Sequence, residues 1–142
     1  MRNDGPRTIL VIEDVEPLRR LIWNMLTDAG FQVLTAPRGD VALEILKKEE
    51  IPIELLLTDV VLPGLCGPVV AEYARSLRRK IAVLYMSGFS MNDTVVYPSA
   101  FAGSAPVLAK PFTPATLIDA VRTALDDFSS AQVPAFEERL CG

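Results

Sequence analysis

Side chains able to do chemistry stand at the far ends of short apolar runs in this chain. Glu13 and Asp14 follow "TILVI", Asp59 closes "IELLLTD", Ser87 closes "IAVLYMS" and Lys110 closes "PVLAK". Asp59 poses the sharpest question. A lone carboxylate buried at the end of so apolar a run costs several kcal/mol, so it needs an open strand end or a cation beside it. Three carboxylates drawn together repel one another unless something positive intervenes. A hard divalent ion such as Mg²⁺ favours oxygen ligands and takes one or two carboxylates plus phosphate oxygens. Lys110 adds a second, fixed positive charge. A site holding Mg²⁺, a lysine and a hydroxyl beside a carboxylate suits phosphoryl transfer, where catalysis is mostly positioning and charge neutralisation. The carboxylate can itself be the nucleophile and form an aspartyl phosphate.

That chemistry requires elements that bring the run ends together. The runs at 8–12, 31–36, 53–59, 81–87 and 106–110 recur at roughly 25-residue intervals, the spacing of βα units. Leu18, Leu21, Ile22, Met25, Leu26 and Ala29 make one apolar stripe at helical spacing, with Pro17 in the first turn and Gly30 just past the end. A last helix starts behind Thr113 as N-cap and Pro114, and turns Leu117, Ala120, Val121, Ala124 and Leu125 inward. Shorter helices are expected near 39–48 and 68–79. Pro98 predicts a short or distorted helix within 89–104. Several runs are continuously apolar, as strands are when helices cover both faces of a parallel sheet. The expected fold is therefore α/β, a doubly wound five-stranded parallel sheet with helices on both faces. Ligands bind such sheets beyond the carboxyl ends of the strands, where the candidate residues lie.

Composition narrows the function. The chain has 142 residues, half of them hydrophobic, and a net charge of -4, which suits one domain over 7–127 between tails at 1–6 and 128–142. Mild acidity argues against non-specific nucleic-acid binding. No apolar run approaches the roughly 20 residues that span a bilayer, so no membrane partner is expected. "MRNDGPR" is followed by too short an apolar run for a signal peptide, and a cytoplasmic location is expected. Cys66 and Cys141 are then expected as free thiols. Histidine is absent, which excludes Ser-His-Asp hydrolysis, histidine zinc sites and a phosphohistidine on this chain.

The acidic pair in "VIEDVEPLRR", the stretch "LLLTDVVLPGLCG", the hydroxyl in "LYMSGFS" and the lysine-proline of "LAKPF" come in an order that resembles the receiver domain of two-component response regulators. The resemblance spans roughly 7–127 and is strongest to receivers of hybrid sensor kinases or their stand-alone relatives. It implies the strand order 2-1-3-4-5. It also implies that Asp59 accepts a phosphoryl group from a phosphohistidine on a sensor histidine kinase or histidine phosphotransfer protein. Asp14 would ligate Mg²⁺ directly, Glu13 through a water, and the backbone carbonyl of Val61 would be a further ligand. Ser87 would bond the phosphoryl oxygen. Lys110 would pair with Asp59 before phosphorylation and with the phosphate afterwards.

The sequence departs from that family's pattern where Val107 replaces the usual switch aromatic and where Pro98 interrupts the fourth helix region. A weak or atypical response is expected on that face. Trp23 lies off the stripe, either flat over a neighbour or as a contact for the kinase's helical bundle. The implied role is that of a signalling domain, an enzyme only in catalysing its own phosphorylation and dephosphorylation. Other readings are a receiver-like scaffold that works without phosphorylation, and an aspartyl phosphatase, which lacks a second acid because Val61 stands two residues after Asp59. A nucleotide- or flavin-binding protein would need a glycine-rich phosphate loop after the first run, and none is there.

Overall fold

The computed structural model of the chain describes residues 6–88 and 105–130, with side chains through 126. The elements are β1 (Thr8–Ile12), α1 (Glu16–Asp28), β2 (Gln32–Ala36), α2 (Gly39–Leu46), β3 (Leu55–Asp59), α3 (Gly67–Leu77), β4 (Ala82–Ser87), β5 (Val107–Ala109) and α4 (Pro114–Ser130). All strand pairs are parallel, and the sheet order is β2-β1-β3-β4-β5. The expected fold and strand order are those observed.

Alternation along each strand divides the core in two, because successive side chains leave a strand on opposite faces. Leu10, Ile12, Leu56, Val83 and Tyr85 pack with Ala42 and Leu46 of α2 and with Val70, Ala71 and Ala74 of α3. Ile9, Val11, Leu55, Leu57, Leu84 and Met86 pack with Ile22 and Leu26 of α1 and with Leu117 and Val121 of α4. Both faces of β1 and β3 are thus covered, which accounts for their continuously apolar sequences.

The helix ends follow local chemistry. The Thr113 hydroxyl accepts the Thr116 N–H at 3.1 Å, so Thr113 caps α4 as expected. Gly30 has φ +100° just after α1, a conformation that glycine adopts without strain. The expected α1 stripe needs correction at Leu21, which is 48% exposed. The packed arc centres on Ile22 and Leu26, and Leu21 precedes Ile22 by about 100° around the helix, which carries it off that arc. Trp23, on the other flank, is exposed. The segment 89–104, with Pro98, lies outside the described residues, as do 1–5 and 131–142.

The register sets where the strands stop. Ile12 pairs with Thr58, Asp59 with Met86, and Ser87 with Ala109. Backbone bonds carry the ladder one residue further, from Glu13 N–H to the Ala36 carbonyl and from Lys110 N–H to the Ser87 carbonyl. Glu13, Asp59, Ser87 and Lys110 therefore reach the same rim.

Candidate functional site

Asp59 is the last residue of β3 and only 5% exposed, while Glu13, one residue past β1, is fully buried. Lys110 follows β5 and reaches across the end of β4 to both. Its Nζ lies 2.7 Å from Asp59 Oδ1 and 2.8 Å from Glu13 Oε1. The stem runs past Gly88, where an added Cβ would stand 3.4 Å from Lys110 Cδ, an ordinary van der Waals contact. Glu13 is held further by the Val15 N–H, which donates to its Oε2 at 3.2 Å. Asp14 is exposed at the mouth. Ser87 is half-buried at the end of β4, and Val61, two residues past Asp59, has an exposed side chain.

One lysine faces two buried carboxylates, and the balance shows in the protonation of Asp59. Loss of hydration pushes its pKa up to about 7, the Lys110 ammonium opposes this, and the Glu13 carboxylate adds to it. Burial alone would lower the pKa of Lys110, but its bonds to Asp59 and Glu13 outweigh that and hold it above the ordinary value. A carboxyl whose pKa is raised on folding favours the folded state at low pH. That contribution is complete below the unfolded value of 3.8 and is lost as pH rises toward about 7. Asp59→Asn should therefore stabilise the protein at pH 8, by about 2 kcal/mol, with the gain shrinking toward pH 4. Urea titrations at the two pH values test this, and a gain independent of pH would contradict it.

The acids also form a group with the right donors for a cation. Glu13, Asp14 and Asp59 each offer an oxygen, and these oxygens lie within 4.8 Å of one another. An all-oxygen, net negative set of this size fits a hard divalent ion such as Mg²⁺. At rest Lys110 occupies one oxygen of Glu13 and one of Asp59, an arrangement in which only the Asp59 contact was expected from sequence.

Three further residues shape the site without any sequence expectation attached. The Arg19 Nη1 donates to the Glu13 carbonyl at 2.9 Å. Gly88 lies alongside the lysine stem. Gly67 opens α3 directly against β3: its N–H donates to the Val60 carbonyl at 2.8 Å, and a Cβ built on it would overlap the Asp59 carbonyl oxygen. The signal for Gly67 was the "CGP" start of a helix next to a strand end, where close backbone approach calls for glycine. The loop between them is pinned by buried Val60 and Leu62 and turns at Gly64, φ +79°. Cys66, expected as a free thiol, is disulfide-bonded. The expectation rested on compartment chemistry, which is blind to the chain segments that a fold brings together. Cys141 lies outside the described residues.

The model of the response regulator receiver domain matches residues 9–122. The response regulator receiver protein CpdR of Brucella abortus is 32% identical over 120 residues, covering 84% of this chain and 97% of CpdR. The sensor kinase CckA of the same organism is 28% identical over 86% of this chain, a match to 13% of its own length. Among solved structures, a response regulator receiver protein from Sinorhizobium medicae WSM419 superposes with a TM-score of 0.72 at 31% identity, covering 87% of this chain and 97% of that one.

Proposed function

The chain belongs to the response regulator receiver family, and from that premise we propose that Asp59 is the acceptor of a phosphoryl group in two-component signalling. The observation that carries this reading is the convergence of Lys110, Glu13 and Asp14 on one buried carboxylate at a strand end. The donor is a phosphohistidine on a sensor histidine kinase or a histidine phosphotransfer protein. An Asp59 oxygen forms the new bond to phosphorus as the bond from phosphorus to the histidine nitrogen breaks, and that bonding pair stays on the imidazole. Asp59 must be ionised to attack, and the ammonium of Lys110 beside it favours that form. Lys110 then passes from the carboxylate to a phosphoryl oxygen, and the Ser87 hydroxyl donates to another. Glu13, Asp14, Asp59 and the Val61 carbonyl are the groups that would hold Mg²⁺, which supplies charge neutralisation at the phosphoryl oxygens when bound.

The working unit in this reading is 7–127, acting in the cytoplasm without nucleic acid or membrane, and its output is a contact with another protein. Among the described residues no helix is long and apolar enough to cross a membrane. Incubation with acetyl phosphate followed by intact-mass measurement tests the chemistry. One phosphoryl group is expected with Mg²⁺, none without it, and none in Asp59→Asn. Failure of the wild-type chain to take up phosphate from any donor would instead favour a scaffold that binds partners without phosphorylation.

A further inference from the structure

The turn between β1 and α1 carries both Glu13 and Asp14, yet the side chain at its helix N-cap, Val15, forms no capping hydrogen bond. Other groups hold the turn. The Glu13 N–H donates to the Ala36 carbonyl of β2, and the Glu13 carboxylate accepts the Val15 N–H. The remaining polar group of Glu13, its carbonyl, accepts from Arg19 Nη1 at 2.9 Å. That carbonyl belongs to the peptide joining Glu13 to Asp14, so its orientation sets where the Asp14 side chain leaves the backbone. Asp14 is exposed, and packing does not fix it. Arg19 itself is half-buried in the first turn of α1, where its own N–H donates to the Val15 carbonyl. Arg19 is thus tied to the helix through its backbone N–H and to the acidic peptide through its guanidinium.

We infer that Arg19 is a positioning residue for the cation site, fixing the Glu13–Asp14 peptide so that the two carboxylates meet one ion. The inference rests on the proposed Mg²⁺-dependent reading of that site. It makes a prediction opposite in sign to simple charge counting. Arg19 is a cation beside a cation site, so its removal should tighten Mg²⁺ binding if its field were all that mattered. A positioning role requires the reverse, because groups that orient metal ligands lose affinity when removed.

The test is titration of the full chain with MgCl₂, followed by two-dimensional amide NMR, which reports folding and the dissociation constant in the same spectra. Arg19→Met should stay folded and bind Mg²⁺ about ten-fold more weakly, at the low end of the range for ligand-orienting groups. Arg19→Lys, which keeps the charge and one donor, should recover part of the loss. Arg20→Met, which removes an exposed neighbouring charge that pairs with Glu16, should bind as the wild type or slightly tighter. Equal or tighter binding by Arg19→Met overturns the positioning role and leaves the phosphoacceptor reading standing. A wild-type chain that shows no Mg²⁺ binding overturns both.

Discussion

Lys110→Met is expected to lose about 3 kcal/mol of stability at pH 8, because removing one partner leaves a buried charge uncompensated. The lysine is the cation that meets both Glu13 and Asp59, and those carboxylates are almost wholly shielded from water. With the ammonium gone, burial and mutual repulsion act on Asp59 unopposed, so its pKa rises further above the ordinary range. The loss should therefore shrink as pH falls and Asp59 takes up a proton. It should also shrink when Mg²⁺ is added, since the acids freed of the ammonium bind the ion more tightly in the variant, and an ion that binds only the folded state stabilises it more the tighter it binds. Urea denaturation at pH 8 and pH 5, with and without MgCl₂, separates this electrostatic account from a packing one. A loss of equal size at both pH values would mean that the lysine stem, and not its charge, is what the fold requires.

Gly67→Ala is the second large effect, and its cause is space. The Cβ would overlap the carbonyl oxygen of Asp59 and press on the backbone of Asp59 and Val60, atoms that cannot rotate away as a side chain can. The cost is expected near 3 kcal/mol, roughly the upper end for over-packing. The strain falls on the residue proposed to accept phosphate, so phosphorylation by acetyl phosphate should slow as well. Gly64→Ala is the matched control. Its surroundings are open, but φ is +79°, so the expected penalty is conformational and about 1 kcal/mol. Thermal melts of the two variants should rank accordingly. An equal effect at both glycines would show that the β3–α3 junction yields more readily than its geometry implies.

Much of this architecture was legible in the sequence, for reasons that can be traced to particular residues. The strands could be read because both their faces are buried: Leu55, Leu56 and Leu57 alternate between the two cores, so nothing polar interrupts them. Thr113 could be read as a cap because capping is local. The rim residues could be read because a parallel sheet gathers its strand ends on one side. Leu21 misled because periodicity marks an apolar arc without saying how wide an arc the sheet covers. The second partner of Lys110 was invisible, since pairing between Glu13 and Lys110 depends on how far one side chain reaches across β4. Arg19 and Gly67 were missed for the same reason: their partners are backbone carbonyls, and a sequence carries no pattern for those. The state of Cys66 escaped because compartment chemistry is no guide to tertiary neighbours.

The site's lysine is carried by the least supported strand of the sheet. Among the described residues β5, three residues long, lies at the edge and is paired only with β4; Val107 and Ala109 are exposed. Edge strands with few neighbours open at lower free energy than central ones. The charge balance at Asp59 is thereby linked to the most readily released part of the fold, and each opening of β5 withdraws the cation from the two acids. Amide hydrogen exchange along 107–110 becomes a gauge of the site's ionic state. Whatever holds Lys110 in place slows that exchange, and whatever releases it is felt at the margin of the sheet before it reaches the centre.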